Sequence, residues 1–329
     1  MCLYLYKKNV IIYRDIGSKC LLTLITEYFI GSRLVQLTVI ETIIMGLLHG
    51  LSEFFPLSSS GHLVFFQHVM KLDADKCMFL DILLHISTLI AVIVYFREDV
   101  VSIFRELGQM MMRIFANFLV FIKKRSGDNR YTYFKVIDSS YKKLIIMISI
   151  STVITAIIGI IGQDMVMLAR GSMLFTGICF IITSVILFLT DKHEDGTQVI
   201  RNAKYSGSIF VGMIQGVSVL PGLSRTASTI TMGIYLGYNN KLAVKYSLLM
   251  SIPAILGSTV YRFAKYGGAG FDRGLIPGYF FSMVIAGVVA FFSIKLIMKF
   301  IKSKRYIIFA IYSHIVGIAA IIFSIVSSN

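Results

Sequence analysis

"GLLHGLSEFFPLSSS" (46–60) and "GMIQGVSVLPGLSRT" (212–226) are one pattern written twice, and a shift of 166 positions lays 46 on 212 without a gap. Gly46/Gly212, Gly50/Gly216, Ser52/Ser218, Leu57/Leu223 and Ser58/Ser224 are identical. The chain has only four prolines, and two of them, Pro56 and Pro221, fall inside these stretches. Each copy reads as helix, break, helix. An apolar segment runs into a proline-containing interruption and restarts on hydroxyl residues suited to capping.

What surrounds the copies sets the fold class. Three apolar runs follow the first copy: Phe79–Phe96, Leu144–Gly162 and Ser172–Thr190. Three follow the second: Leu242–Tyr261, Pro277–Ile297 and Tyr306–Val326. Each reaches the roughly 18 residues that a bilayer crossing needs. Three is odd, so the second copy must enter the membrane from the opposite face, which is the arithmetic of an inverted-topology repeat. With 56% hydrophobic and 15% charged residues the chain departs from soluble globular composition. Continuous rather than alternating apolar runs argue against a β-barrel. The expectation is an all-α integral membrane protein with about six transmembrane helices plus two re-entrant helical hairpins. It forms a single polytopic domain over 34–329, with repeat halves at about 34–190 and 207–326. Residues 1–33 are expected to be an N-terminal extension, lying on the surface or marking a mis-assigned start. Their scattered charges, Lys7 to Arg33, give no cleavable-signal pattern.

The net charge of +15 would raise nucleic acid as a partner in a soluble protein. Here the basic residues sit in loops, as the positive-inside rule expects, and no nucleic acid is implied. The loop 97–143 carries ten basic and five acidic residues and is placed in the cytoplasm. Its first part, to about Val120, reads as an amphipathic surface helix, and "KKRSGDNR" (123–130) as a loop. "DKHEDGTQVIRNAK" (191–204) and "KFIKSKR" (299–305) then fall on the cytoplasmic side. "RFAKYGGAGFDRG" (262–274) and residues 1–33 fall outside, against the rule. The cysteines, Cys2, Cys20, Cys77 and Cys179, have neither metal nor redox spacing.

The polar residues in the two copies carry the chemistry. Ionisable groups at membrane depth are costly and mark function by default. Glu53 follows His49 by four residues, so both share a helix face; alone, the pair could simply staple helices. Ser58-Ser59-Ser60-Gly61 opens a helix whose first amides suit an anion, although serines cap helices everywhere. His62 lies one turn after Ser58. In the second copy Ser224-Arg225-Thr226 opens a helix, with Ser228 and Thr229 on its first turns. A guanidinium at that depth needs an anion, and its fork suits phosphate; pairing with Glu53 is the structural competitor. Arginine, two hydroxyl-lined helix starts, a carboxylate and a histidine together describe a phosphate site with acid–base groups.

"GLSEFFPLSSSGHL" (50–63) and "PGLSRTASTI" (221–230) resemble the two signature motifs of the undecaprenyl-diphosphate phosphatase, or bacitracin-resistance, family. "LHISTLIAVIVYF" (84–96) and "FAIYSHIVGI" (309–318) are also similar to family segments, so the resemblance spans roughly 35–326. It implies an enzyme that hydrolyses undecaprenyl diphosphate to undecaprenyl phosphate and inorganic phosphate. That reaction recycles the lipid carrier of peptidoglycan synthesis and gives bacitracin resistance. The resemblance further implies a bacterial plasma-membrane location with the site facing outside, a divalent cation, Mg2+ with Ca2+ as the alternative, and a polyprenyl diphosphate lipid as partner. A homodimer stays open. Glu53 matches a family acidic residue and the expected metal ligand, with His49 as a candidate second. Ser58, Ser59, Gly61 and His62 match the first motif; Ser224, Arg225 and Thr229 match the second. Glu53, Ser59, His62 and Arg225 are the expected catalytic group; Ser58, Ser60, Gly61, Ser224, Arg225 and Thr229 are expected to hold phosphate. Ser59 as nucleophile, His62 as nucleophile, and His62 activating water are all compatible with the motifs.

Three positions depart from the family pattern. His49 stands where a glutamate, sometimes an amide, is usual. Ala227 stands where glycine is usual, and Ser313 where an arginine commonly follows tyrosine. The first bears on metal binding. "SSGH" also resembles the acid-phosphatase-like lipid phosphatases, but their second motif would need a histidine at Thr231. The competing functional class is a transporter or polyprenyl-lipid flippase, since inverted repeats and broken helices are common there.

Overall fold

The computed structural model describes residues 4–6, 9–11, 37–126, 130–267, 270–300 and 305–327. Tyr4–Tyr6 and Asn9–Ile11 form a short antiparallel pair (β1, β2). The α-helices of the described residues are α1 Val39–Ser52, α2 Ser59–Val69, α3 Ala74–Tyr95, α4 Arg97–Arg125, α5 Ser140–Ile161, α6 Gln163–Arg170 and α7 Met173–Lys192 in the first half. The second half holds α8 Tyr205–Val217, α9 Arg225–Tyr235, α10 Asn240–Tyr266, α11 Ile276–Phe300 and α12 Tyr306–Ser327. Among the described residues six helices, α3, α5, α7, α10, α11 and α12, are long and apolar enough to cross a membrane. They correspond to the six runs read from the sequence, and the chain is an all-α membrane protein.

α1 starts on a capping box. Thr38 Oγ1 accepts from the Glu41 amide, and Glu41 Oε2 accepts from the Thr38 amide at 2.7 Å. At 14 residues α1 is about 21 Å long, short of the roughly 30 Å hydrocarbon core. α2, α8 and α9 are shorter still. Each short pair folds back on itself. Leu37 before α1 and Leu72 after α2 share one apolar cluster with Leu275 and Tyr279. Gly207 near the start of α8 abuts Leu236 and Tyr238 just beyond α9.

The helix partners show the repeat. α1 packs on α11 and α8 packs on α5; α3 pairs with α10 and α7 with α12. Exchanging the halves sends α1 to α8, α3 to α10, α5 to α11 and α7 to α12, which returns the same set of pairs. The identical glycines explain how. A Cβ on Gly46 or Gly50 would lie 2.6 Å from the Ser282 or 2.5 Å from the Ala286 carbonyl oxygen of α11. Gly212 is equally tight against Ser151 of α5, and Gly216 against Ile158. Small residues four apart let membrane helices approach to backbone contact.

α4 extends to Arg125, so Lys123–Arg125, expected in a loop, form its last turn. Lys and Arg are good helix formers, and cations suit the negative helix end. α4 exposes Phe104, Met111, Phe115 and Phe118, as an amphipathic surface helix should. Asp99 pins its start to Lys245 and Tyr141, both at 2.6 Å. Arg113 binds Asp138, which also accepts from Lys142. Lys142 first, then Arg113, holds the Asp138 carboxyl at about 2.

Candidate active site

The breaks of the two hairpins meet. Ser58 accepts from the Gly222 amide at 3.1 Å, and a Cβ on Gly61 would lie 2.7 Å from Gly222 Cα. Ser58 itself has φ 66°, left-handed for a residue with a side chain. Such a conformation costs about 1–3 kcal/mol, and the Ser58 hydroxyl offsets it by accepting from both Gly61 and Gly222 amides. Gly222 has φ 90° and fits against α7, where a Cβ would strike the Thr176 carbonyl. Thr183 of α7 donates to the Gly222 carbonyl and accepts from the Ser224 amide, both at 2.9 Å. α7 is thus the wall behind both breaks.

Between the breaks lies a small pocket. Ser52, Glu53, Ser58, Ser59 and Ser60 line it from the first copy; Ser218, Leu223, Ser224, Arg225 and Thr226 from the second. All but Glu53, Arg225 and Leu223 carry hydroxyls. A lining of this kind suits a small polar head. α2 and α9 both begin here, and the first amides of a helix have no intrahelical acceptor. Two helix N-termini converging on hydroxyls make an anion site.

One chain of contacts crosses the pocket. Ser59 Oγ donates to Glu53 Oε2 at 2.5 Å. Glu53 Oε1 accepts from Arg225 Nη2 at 3.0 Å. Thr226 Oγ1 donates to the Glu53 carbonyl at 3.2 Å. Arg225 Nη1 is buried and has no hydrogen-bond partner. The guanidinium therefore holds the carboxylate with one arm and keeps the other arm for something else.

Residues 42–319 match the family described as bacitracin resistance protein BacA. The chain belongs to this family. It is similar to the undecaprenyl-diphosphatase of Alkaliphilus metalliredigens (strain QYMF), with 33% identity over 294 residues, 88% of this chain and 100% of the relative. The undecaprenyl-diphosphatase of Methanosphaera stadtmanae is 34% identical over 293 residues, 88% of this chain and 100% of that protein. That of Methanobrevibacter smithii is 32% identical over 289 residues, 87% and 98% respectively.

Of the residues expected from the BacA-family motifs, Glu53, Ser58, Ser59, Ser60, Ser224 and Arg225 line the pocket. Gly61, His62 and Thr229 do not. Gly61 is where the hairpins touch. Thr229 Oγ1 meets Ser247 of α10 at 2.6 Å and the Arg225 carbonyl at 2.8 Å. His62 has both ring nitrogens engaged, Nδ1 with the Ser58 carbonyl at 2.8 Å and Nε2 with Tyr312 Oη at 2.9 Å. Phe180 packs edge-on against its ring. The pocket also recruits Ser52, Ser218 and Thr226, of which the first two are an identical pair of the repeat and so were visible in it.

Behind Glu53 lies a second group. His49 Nε2 is 3.7 Å from Glu53 Oε2, and the His49 ring stands 4.6 Å from that of His85 on α3. Ligand atoms of His49, Glu53 and His85 lie within 4.8 Å of one another, so these residues could hold a metal ion. His85 was not among the expected site residues. Its signal was a histidine within an apolar span.

Proposed function

We propose that this chain is an undecaprenyl-diphosphatase, hydrolysing undecaprenyl diphosphate to undecaprenyl phosphate and inorganic phosphate. The observation that carries the reading is the spare arm of Arg225 in a hydroxyl-lined pocket that also holds the Ser59–Glu53 pair. In this reading the two hairpins dip into the bilayer from opposite sides and the pocket lies at depth; its opening to the outer face of the plasma membrane is what the family resemblance implies. The diphosphate head enters the pocket and the prenyl tail stays in lipid, since a lining of hydroxyls, a carboxylate and a guanidinium, with Leu223 as its one apolar residue, offers a prenyl chain little to pack against.

Arg225 and the first amides of α2 and α9 take the phosphate oxygens and stabilise charge in transfer. Ser59 Oγ attacks the terminal phosphorus while Glu53 accepts its proton. The bond from that phosphorus to the bridging oxygen breaks, and undecaprenyl phosphate leaves. Water then cleaves the phosphoserine and restores Ser59. His62 orients the start of α2 through the Ser58 carbonyl and does not face the reacting atoms. Mg2+ and Ca2+ take oxygen ligands. One carboxylate beside two imidazoles does not fit either ion, and none of these steps runs through a metal.

Phosphate release from undecaprenyl diphosphate by protein purified in detergent tests the activity. Acid quench during turnover tests the order of steps: a phosphoserine at Ser59 is expected, and a phosphohistidine at His62 would reverse the two roles.

A further inference from the structure

We propose that His49, His85 and Glu53 form a two-histidine, one-carboxylate site for a borderline divalent transition ion of the Zn2+, Co2+ and Fe2+ class, and that Mg2+ and Ca2+ are poor occupants. The inference deepens the proposed function, and rests on it only for taking this pocket as the reaction site.

Three observations carry it. His49 is fully buried, and neither ring nitrogen has a hydrogen-bond partner. A buried polar group without a partner is destabilising and requires a reason; a ligand supplies one. His85 Nδ1 donates to the Asp81 carbonyl at 2.7 Å, which leaves Nε2 as the free lone pair. An outer hydrogen bond of this kind is how proteins fix the tautomer and aim of a ligating imidazole. The Asp81 carboxylate is in turn held by Arg170 at 3.1 Å.

The donor chemistry then selects the ion. Imidazole nitrogen suits Zn, Cu, Fe and Ni, whereas Mg2+, Ca2+ and Mn2+ favour oxygen. Around a tetrahedral ion with bonds of about 2.0–2.2 Å, ligand atoms stand roughly 3.3 Å apart. The observed separations, within 4.8 Å, close to that value by side-chain rotation. Three protein ligands leave a coordination position open, as in catalytic rather than structural sites. The exchange of the usual family glutamate for His49 therefore changes which ion the site takes.

The test is direct metal binding. Purified protein, stripped with a chelator, is titrated with Co2+, whose visible absorption reports nitrogen ligation, and with Mg2+ by calorimetry. One Co2+ is expected to bind at least about 100-fold more tightly than Mg2+, and excess Mg2+ should leave the Co2+ spectrum unchanged. His49→Ala and His85→Ala should each weaken Co2+ binding by about 100-fold or more. Melting curves of the metal-free variants show that the fold survives. Should either alanine variant fail to fold, His49→Glu takes its place: it should fold and shift the preference toward Mg2+. Equal affinity for Co2+ and Mg2+, a Co2+ spectrum that survives His85→Ala, or an unchanged preference in His49→Glu would overturn the assignment. Phosphate release is scored separately. Hydrolysis without selective Co2+ binding ends this inference and leaves the function standing; Co2+ binding without hydrolysis does the opposite.

Discussion

At the scale of residues, the repeat divides its work. Positions identical between the copies shape the site: Gly46, Gly50, Gly212 and Gly216 let helices touch, and Ser58 and Ser224 cap α2 and α9 and line the pocket. Positions that differ hold the residues proposed for the chemistry: Glu53 against Val219, Ser59 against Arg225, His49 against Gln215. Arg225→Lys should fold normally and lose about 100-fold or more in turnover, since a point charge cannot hold Glu53 and a phosphate together; that corresponds to about 2.7 kcal/mol of transition-state stabilisation. Phosphate release in detergent measures it, and near-normal turnover would remove Arg225 from the clamp. Ser59→Ala should lose about 1,000-fold or more, and His62→Ala only about 10-fold, because in the proposed mechanism one attacks and the other orients. The reverse ranking would put the nucleophile on His62. Glu53, Ser59 and Arg225 were legible in the sequence because polar groups are expensive in an apolar setting. His85 was not, because its neighbours come from another helix. Gly61 and Thr229 sit in the motifs, but the motif does not say whether a residue faces the pocket or the packing behind it.

At the scale of elements, the two glycine seams are equivalent in sequence and in tolerance. A methyl at Gly50 meets the backbone of Ala286, and one at Gly216 meets Cβ and Cγ2 of Ile158, a branched side chain stiff at its base in a helix. Gly50→Ala and Gly216→Ala should each cost about 3 kcal/mol or more. Thermal unfolding in detergent would show it, and an unshifted midpoint in either variant would mean that its seam can open. α4 is held near its middle by Asp138, through Arg113. Its carboxyl lies below the ordinary carboxylate range, so this contact should persist as pH falls and give way only near about 2. Amide exchange in α4 between neutral pH and about 4 should show no loosening from this group. The six spans were plain in the sequence because continuous apolar runs admit no other reading. The last turn of α4 was hidden, because a basic triplet is as compatible with a loop as with a helix end.

At the scale of the whole molecule, the pocket exists only where the halves join, since Glu53 and Ser59 come from one copy and Arg225 from the other. Cysteines at Ser60 and Thr226, in a background without Cys2, Cys20, Cys77 and Cys179, should crosslink with a short reagent. Ready labelling of both from opposite aqueous faces would mean that the hairpins do not meet. The sequence carried the repeat and its odd count of spans, but not which helices pair, because that depends on the exchange of α1 and α8 between partners in the opposite half.

The ion pair that joins the copies has one more effect. Glu53 keeps one arm of Arg225 while phosphate takes the other, so the phosphate shares the guanidinium's charge with a resident rival at every moment. The site is self-clearing, and inorganic phosphate should inhibit it weakly. Neutralising the rival with Glu53→Gln should abolish turnover yet make the pocket retain phosphate about 10-fold more tightly, an energy near 1.4 kcal/mol. Phosphate binding by calorimetry to both proteins would show it, and equal affinities would mean that Glu53 does not compete for the guanidinium.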